Sequence, residues 1–216
     1  MLFRSLELDI AHGLLDIGAV FLRPEEPFTW ASGIKSPIYT DNRLILTAPA
    51  VRTRVERGLA QLIRERFPAA EVLMGTSTAG IAHAAIVGHL LGLPMGYVRG
   101  GNKDHGRGNR IEGKLVPGER VVVVEDLIST AGSSVETVRA LREAGAEVLG
   151  MVSIFTYGLQ KGLDNLAAAN VTNYSLTNFD AVCAAAVEAG KIRREDVERL
   201  MRFRANPEDE SWITNG

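Results

Sequence analysis

Four consecutive valines, Val121–Val124, lead straight into two acids, Glu125 and Asp126, and then into a tract of small residues, Ser129–Ser134. An unbroken β-branched run of this kind belongs to a strand covered on both faces, so a chain that carries it is committed to a sheet with helices on either side. Helical spacing resumes near Val135. Strand, paired acids, small loop and helix together aim backbone N–H groups and hydroxyls at one point beside the positive end of a helix dipole. Such a point suits a phosphate, and the acids suit a ribose diol or a hydrated Mg2+. An ordinary strand-to-helix turn, with Ser and Thr as caps, is the plainer alternative.

The valine strand sits inside a longer alternation. Helical periodicity covers about Pro49–Phe67, a strand Glu71–Met74, a helix about Ile81–Leu91, and a strand Pro94–Arg99. After the valines come a helix over about Val135–Ala144 and a strand Glu147–Thr156. Alternation of this length predicts an α/β fold with a parallel sheet. Ligands of such sheets bind beyond the carboxyl ends of the strands. Three unusual loops fall at such ends: GTSTAG (Gly75–Gly80), the glycine-rich Gly100–Gly113, and EDLISTAGSS (Glu125–Ser134). Strands and turns are expected over Phe21–Asp41. With a late strand near Asn173–Leu176 they lie outside the alternation, as a separate cap. Helices over about Phe179–Ala189 and Arg194–Arg204 close the fold.

Length and charge narrow the function classes. A chain of 216 residues, 46% hydrophobic, buries one proper core, so a single domain over 1–216 is expected. A net charge of −2 leaves no electrostatic footprint for nucleic acid or an acidic membrane. The N-terminal stretch has acids inside its apolar pattern and reads as an amphipathic helix, not a signal peptide, which points to the cytoplasm. Cys183, the sole cysteine, sits among alanines and reads as an inert buried thiol. His83 and His89 lack zinc-pair spacing, and His12 reads as an ordinary helix residue. The charged segment Lys191–Arg204 reads as a solvated helix face with i, i+4 pairs, and Trp30 as a packing or a ligand residue.

In the glycine-rich loop, Lys103, His105, Arg107 and Arg110 ride on a backbone loosened by Gly100, Gly101, Gly106, Gly108 and Gly113. A loop of this length without secondary structure is commonly an active-site lid or a disordered segment, and a solvated surface loop is the alternative. One cation about 4 Å from an anionic oxygen is worth about 4 kcal/mol at an effective dielectric near 20. Made only in the transition state, that contact lowers the barrier by nearly three powers of ten.

EDLISTAGSS resembles the 5-phosphoribosyl-1-diphosphate (PRPP) motif of the type I phosphoribosyltransferases. FTWASGIKSPIYTDNR (Phe28–Arg43) is similar to the base-binding signature of the orotate-using branch, and VRGGNKDHGRGN (Val98–Asn109) to its mobile catalytic loop. GTSTAGIAHA (Gly75–Ala84) stands in the position of the pyrophosphate-side loop. The resemblance implies the type I phosphoribosyltransferase fold, a five-stranded parallel sheet flanked by helices. A small hood from about 21–43 plus part of 157–180 would cover a core of about 49–156. It implies Mg2+-dependent transfer of the 5-phosphoribosyl group from PRPP to N1 of orotate, giving orotidine 5′-monophosphate and pyrophosphate in de novo pyrimidine synthesis.

The same resemblance assigns roles. Lys103, His105 and Asp126 would be catalytic. PRPP would be bound by Arg99, Lys103, His105, Glu125, Asp126, Leu127, Ile128, Ser129, Thr130, Ala131, Gly132 and Ser133. Orotate would meet Lys35, Tyr39 and Ser129. Mg2+ would be held mainly through PRPP, with no direct protein ligand. The loop would close over a partner subunit, implying a homodimer without nucleic acid or membrane. Some members carry basic residues where this chain has Ala31, Ala79, Gly100 and Tyr157. PRPP-dependent transfer to another base, and a non-catalytic PRPP-sensing regulator, are the competing readings. The hood signature weighs against the first, and the lack of an appended helix-turn-helix against the second.

Overall fold

The computed structural model describes residues 2–30, 33–100 and 110–213, with side chains of the first helix described from Leu6. Helix α1 (Leu2–Asp16) leads into four short strands, β1 (Val20–Leu22), β2 (Phe28–Thr29), β3 (Lys35–Ser36) and β4 (Ile38–Thr40). A 3-10 turn over Asn42–Thr47 then feeds α2 (Pro49–Arg66). Next come β5 (Val72–Thr76), α3 (Ala79–Leu91), β6 (Met95–Val98), β7 (Ile111–Glu112), β8 (Arg120–Ile128), α4 (Gly132–Glu143) and β9 (Glu147–Thr156). The chain continues through α5 (Gln160–Ala168), β10 (Asn173–Asn178), α6 (Phe179–Glu188) and α7 (Asp196–Ala205).

Among the described residues the main sheet runs β10-β9-β8-β5-β6-β7. Pairing is parallel from β10 to β6, and only β7 joins antiparallel. The five parallel strands expected are present, with one short strand added at the edge. Val121–Val124 are fully buried. Successive side chains point to opposite faces, and Val122 and Val124 pack in one apolar cluster while Val121 and Val123 pack in another. That is why the run has no polar alternation.

Two expectations are corrected here. The late strand does not pair with the N-terminal stretch: β10 lies parallel to β9 in register Asn173↔Met151 to Asn178↔Thr156, as a core strand. The hood strands pair among themselves instead, β1 with β4 and β2 with β3. Gly100–Gly113 is also not wholly without pattern. Ile111 is buried and pairs with Val98, so the loop begins and ends on one β ladder.

The reading of Lys191–Arg204 as a solvated face is corrected too. Arg199 is 5% exposed and donates to the carbonyls of Trp212, Ile213 and Pro24, and to Glu25 Oε1. Asp196 beside it is equally buried and takes three hydrogen bonds from Arg193. Together they clamp the C-terminal segment and the hood loop onto α7. Charge patterning could not reveal this, because the acceptors are distant backbone carbonyls. Arg199→Ala should cost about 3 kcal/mol or more, since buried carbonyls lose their donor. The shift of a urea unfolding midpoint reads this out, and the exposed Arg202→Ala should move the midpoint by less than about 0.5 kcal/mol.

Candidate active site

Chain order along the sheet diverges between β5 and β8: β6 lies beyond β5 on one side, β9 and β10 beyond β8 on the other. A crevice opens beyond the carboxyl ends of strands at such a switch point. β5 ends inside GTSTAG at Thr76, and β8 runs on through the two acids to Ile128 rather than stopping before them, so the small-residue turns that follow the two strands are neighbours in space. The register Gly75↔Val124 places Thr76 opposite Glu125.

The two acids that look equivalent in sequence are separated by the pleat. Glu125 is buried, and both its oxygens already accept hydrogen bonds. Thr76 Oγ1 donates to Oε1 at 2.5 Å, Ser134 Oγ to Oε2 at 2.8 Å, and the N–H of Asp126 to Oε1 at 3.0 Å. Asp126 turns the other way and stays partly open. Burial, and then the charge of Glu125 beside it, push the Asp126 carboxyl up to about 7. Thr76 and Ser134, which spacing alone did not single out, fix the Glu125 carboxylate.

The turn after Asp126 is held from outside. Leu127 packs against the main core and Ile128 is buried on the other face, which anchors the end of β8 from which the turn departs. The carbonyl of Ile128 accepts from Tyr157 N, and that of Thr130 from Asn165 Nδ2 at 2.8 Å. Gly162 of α5 lies so close that a Cβ there would stand 2.3 Å from Ser129 O. With these carbonyls drawn outward, the first N–H groups of α4 (Gly132, Ser133, Ser134) are left without intrahelical acceptors at the positive end of the dipole. Ala131 caps the helix with φ +60°, a left-handed conformation costing a non-glycine residue about 1–2 kcal/mol. A left-handed residue followed by helical ones curls successive N–H groups into a nest for an anion. Gly132 and Ser133 are exposed there, and Ser129 and Thr130 half-buried.

The hood leans over this edge. Tyr39 alternates outward between Ile38 and Thr40 and lies 5.6 Å from the Phe28 ring, tilted. Lys35 is exposed, with its Nζ donating to Thr29 Oγ1 at 2.8 Å. Trp30 packs edge-on against Tyr157 and Phe203, which settles it as a packing residue. Hydrogen bonds tie hood to core: Asn42 Nδ2 donates to the carbonyl of Asp126 at 2.8 Å, and Tyr157 Oη donates to Thr40 Oγ1 at 3.1 Å. Tyr157 is buried and faces the core.

On the β6 side, Ser77 Oγ donates to Val98 O at 2.7 Å, and the Ser77–Thr78 peptide is cis. Arg99 stands at the loop's root, its Nε 3.2 Å from Glu112 Oε1, and its N–H donates to Arg110 O at 2.8 Å. Lys103, His105 and Arg107 lie outside the described residues. His83 is buried in α3, its Nδ1 2.6 Å from Glu56 Oε1, and His12 pairs with Glu188 at 2.9 Å. Cys183 is buried, and burial pushes its thiol up to about 12. No helix among the described residues is long and apolar enough to cross a membrane.

Residues 42–182 match the family model described as phosphoribosyl transferase domain. The chain is 57% identical over 209 residues to the orotate phosphoribosyltransferase of Bacillus cytotoxicus, covering 97% of this chain and all of that one. Among solved structures, orotate phosphoribosyltransferase from Aeropyrum pernix aligns with a TM-score of 0.74 at 28% identity, covering 85% of this chain and 99% of that one. Leishmania donovani UMP synthase aligns at 0.79 and 26% identity. There 93% of this chain spans 42% of that longer protein.

Proposed function

The chain belongs to the phosphoribosyltransferase family, and we propose that it transfers the 5-phosphoribosyl group from PRPP to N1 of orotate, releasing pyrophosphate and forming orotidine 5′-monophosphate. One observation carries the choice of acceptor. The base-binding signature Phe28–Arg43 is hinged onto the ribose acid itself, through Asn42 and the Asp126 carbonyl. That hinge supports a pyrimidine seated under Tyr39 and Lys35, with Ser129 below and the sugar at Asp126.

Each step then has a physical agent. The N-terminus of α4 and the loop Ser129–Ser133 receive the 5′-phosphate, where the dipole and the free N–H groups favour negative charge. Asp126 accepts the ribose hydroxyls. Its negative charge stabilises the positive charge that grows on the ring as the C1–O bond to pyrophosphate breaks, by analogy with glycoside chemistry. Glu125, already bonded by Thr76, Ser134 and the Asp126 N–H, acts through Asp126 as a positioning residue. Arg99, released from Glu112, and the loop residues Lys103 and His105 meet the departing pyrophosphate.

Mg2+ fits as a metal carried by the substrate. Mg2+ prefers oxygen ligands and keeps several waters, and the partly open Asp126 carboxylate offers oxygens that such a water could meet. Asp126 would reach it through water, and the bound ion would neutralise charge on the pyrophosphate oxygens. A homodimer whose loop closes over the partner's site, acting in the cytoplasm, completes the reading.

Loss of orotate absorbance with PRPP and Mg2+, against uracil and hypoxanthine as controls, tests the reaction. Turnover of a control base alone, or of none, overturns it. Lys103→Ala should lower turnover about a hundredfold or more while orotate binding stays within a few-fold. Mixing Lys103→Ala with Asp126→Asn subunits should restore activity in the heterodimers if the loop crosses between subunits. Heterodimers without recovery would show that each subunit works alone.

A further inference from the structure

The orotate reading gives the acid group of the base one cation, Lys35, and no fork that could meet both of its oxygens. Tyr157 points into the core and bonds to Thr40, and the exposed Lys35 ammonium, a point charge, gives one of its three donors to Thr29. Orotate differs from uracil only by that carboxylate, so its recognition sets the specificity of the enzyme. A planar carboxylate is best met by the fork of an arginine.

One arginine is built into the same hinge. After Tyr39 and Thr40 the chain turns at Asp41, the buried Asn42 holds the Asp126 carbonyl, and the next residue, Arg43, is exposed. Neighbouring Cα atoms are 3.8 Å apart, so Arg43 starts one residue from a contact with the ribose acid. Its side chain is 70% exposed. The Nε donates to Asp41 Oδ1 at 2.7 Å and Nη2 to Asp41 Oδ2 at 2.9 Å, which aims the guanidinium and leaves the rest of its five donors for a ligand. Its charge is felt at Asp126, whose carboxyl it draws downward against burial and Glu125. The pair with Asp41 is local and solvated, the kind of ion pair that a second carboxylate joins at little cost.

We infer that Arg43 is the specificity-determining residue of this site: its guanidinium, braced by Asp41, binds the carboxylate of the pyrimidine. This rests on the orotate reading above. It explains how a chain with Tyr157 in place of a basic residue keeps a cation for the acid group. Asp41 serves as the second support, since without it the guanidinium has no fixed direction.

Orotidine 5′-monophosphate and uridine 5′-monophosphate isolate the contact, because they differ by that carboxylate alone. Calorimetric titration of the intact protein should show tighter binding of the first. Arg43→Met should weaken orotidine monophosphate by about 30- to 100-fold, the range for losing a charge-assisted hydrogen-bonded pair, and uridine monophosphate by less than about twofold. Arg43→Lys should fall between, keeping charge and losing the fork. Equal losses for both nucleotides in Arg43→Met, or an unchanged preference in either variant, would overturn the assignment. Wild-type protein that turns over no orotate would defeat the broader reading instead, and that result is distinct because it needs no variant.

Discussion

An Asp126→Asn enzyme is expected to lose about a hundred- to a thousandfold in turnover and yet to melt later than the parent protein at pH 8. Both effects come from one geometry. Strand β8 brings Glu125 and Asp126 out of the sheet as neighbours, and Glu125 is pinned by Thr76 and Ser134, so the second carboxyl has to share a half-buried space with the first. Burial, then the Glu125 charge, raise the Asp126 pKa from 3.8 to about 7, with only the backbone and Arg43 pulling it down. A carboxyl whose pKa is higher in the folded chain than in the unfolded one stabilises the fold while it is protonated. That contribution is complete below about pH 4 and is lost as pH rises through about 7. Asparagine keeps the shape of the protonated group at every pH. The variant should therefore gain roughly 1–3 kcal/mol at pH 8, after discounting for the open side of the group. In a protein of this size that is a rise in Tm on the order of 3–8 °C. The gain should shrink steadily as the pH is lowered from 7 towards 4. Thermal scans at pH 8 and pH 5 check it, and a variant that melts earlier than the parent at both would refute the idea that Asp126 is held at a cost to the fold. The same pKa predicts an acid limb near pH 7 in kcat/KM for PRPP.

A Gly162→Ala enzyme should keep its fold and lose PRPP. Gly162 lies in α5, and a methyl group there would sit 2.3 Å from the carbonyl oxygen of Ser129, closer than any real contact. The obstacle is backbone and cannot rotate aside, so the phosphate turn must retreat by about an ångström, a displacement of the size that costs around a hundredfold in a positioned site. Alanine is the better helix former by about 1 kcal/mol, so α5 itself gains. The expected outcome is a kcat/KM for PRPP reduced about a hundredfold, with secondary structure by circular dichroism unchanged. Ordinary PRPP kinetics in this variant would mean that α5 does not hold the turn.

These two residues mark the boundary of what could be read in one dimension. Asp126 was visible because its signal is local: a valine run, a pair of acids and a small loop occupy consecutive positions. Gly162 was not, since the turn it shapes lies more than thirty positions earlier in the chain. The helix carrying it, QKGLDNLAA, is short and holds a glycine. Asn42 illustrates the intermediate case. It lies inside a signature that was legible as a block, but its bond to Asp126 spans 84 positions, and nothing in TDNR announces it. Arg199 was misread for the reason opposite to Asp126: its pattern of neighbours is that of a surface helix, while its partners are carbonyls of Pro24, Trp212 and Ile213.

The parallel sheet, the edge at which ligands gather and the chemistry of the phosphate turn all follow from local order, because hydrophobic period and turn composition act between residues a few positions apart. Three outcomes needed the folded chain: that β10 joins the core sheet, that Glu125 is buried while Asp126 stays partly open, and that Tyr157 packs inward while Arg43 stays exposed beside the crevice acids. Each depends on which surfaces meet across the sheet, and that is settled by packing between segments whose letters hold no record of one another.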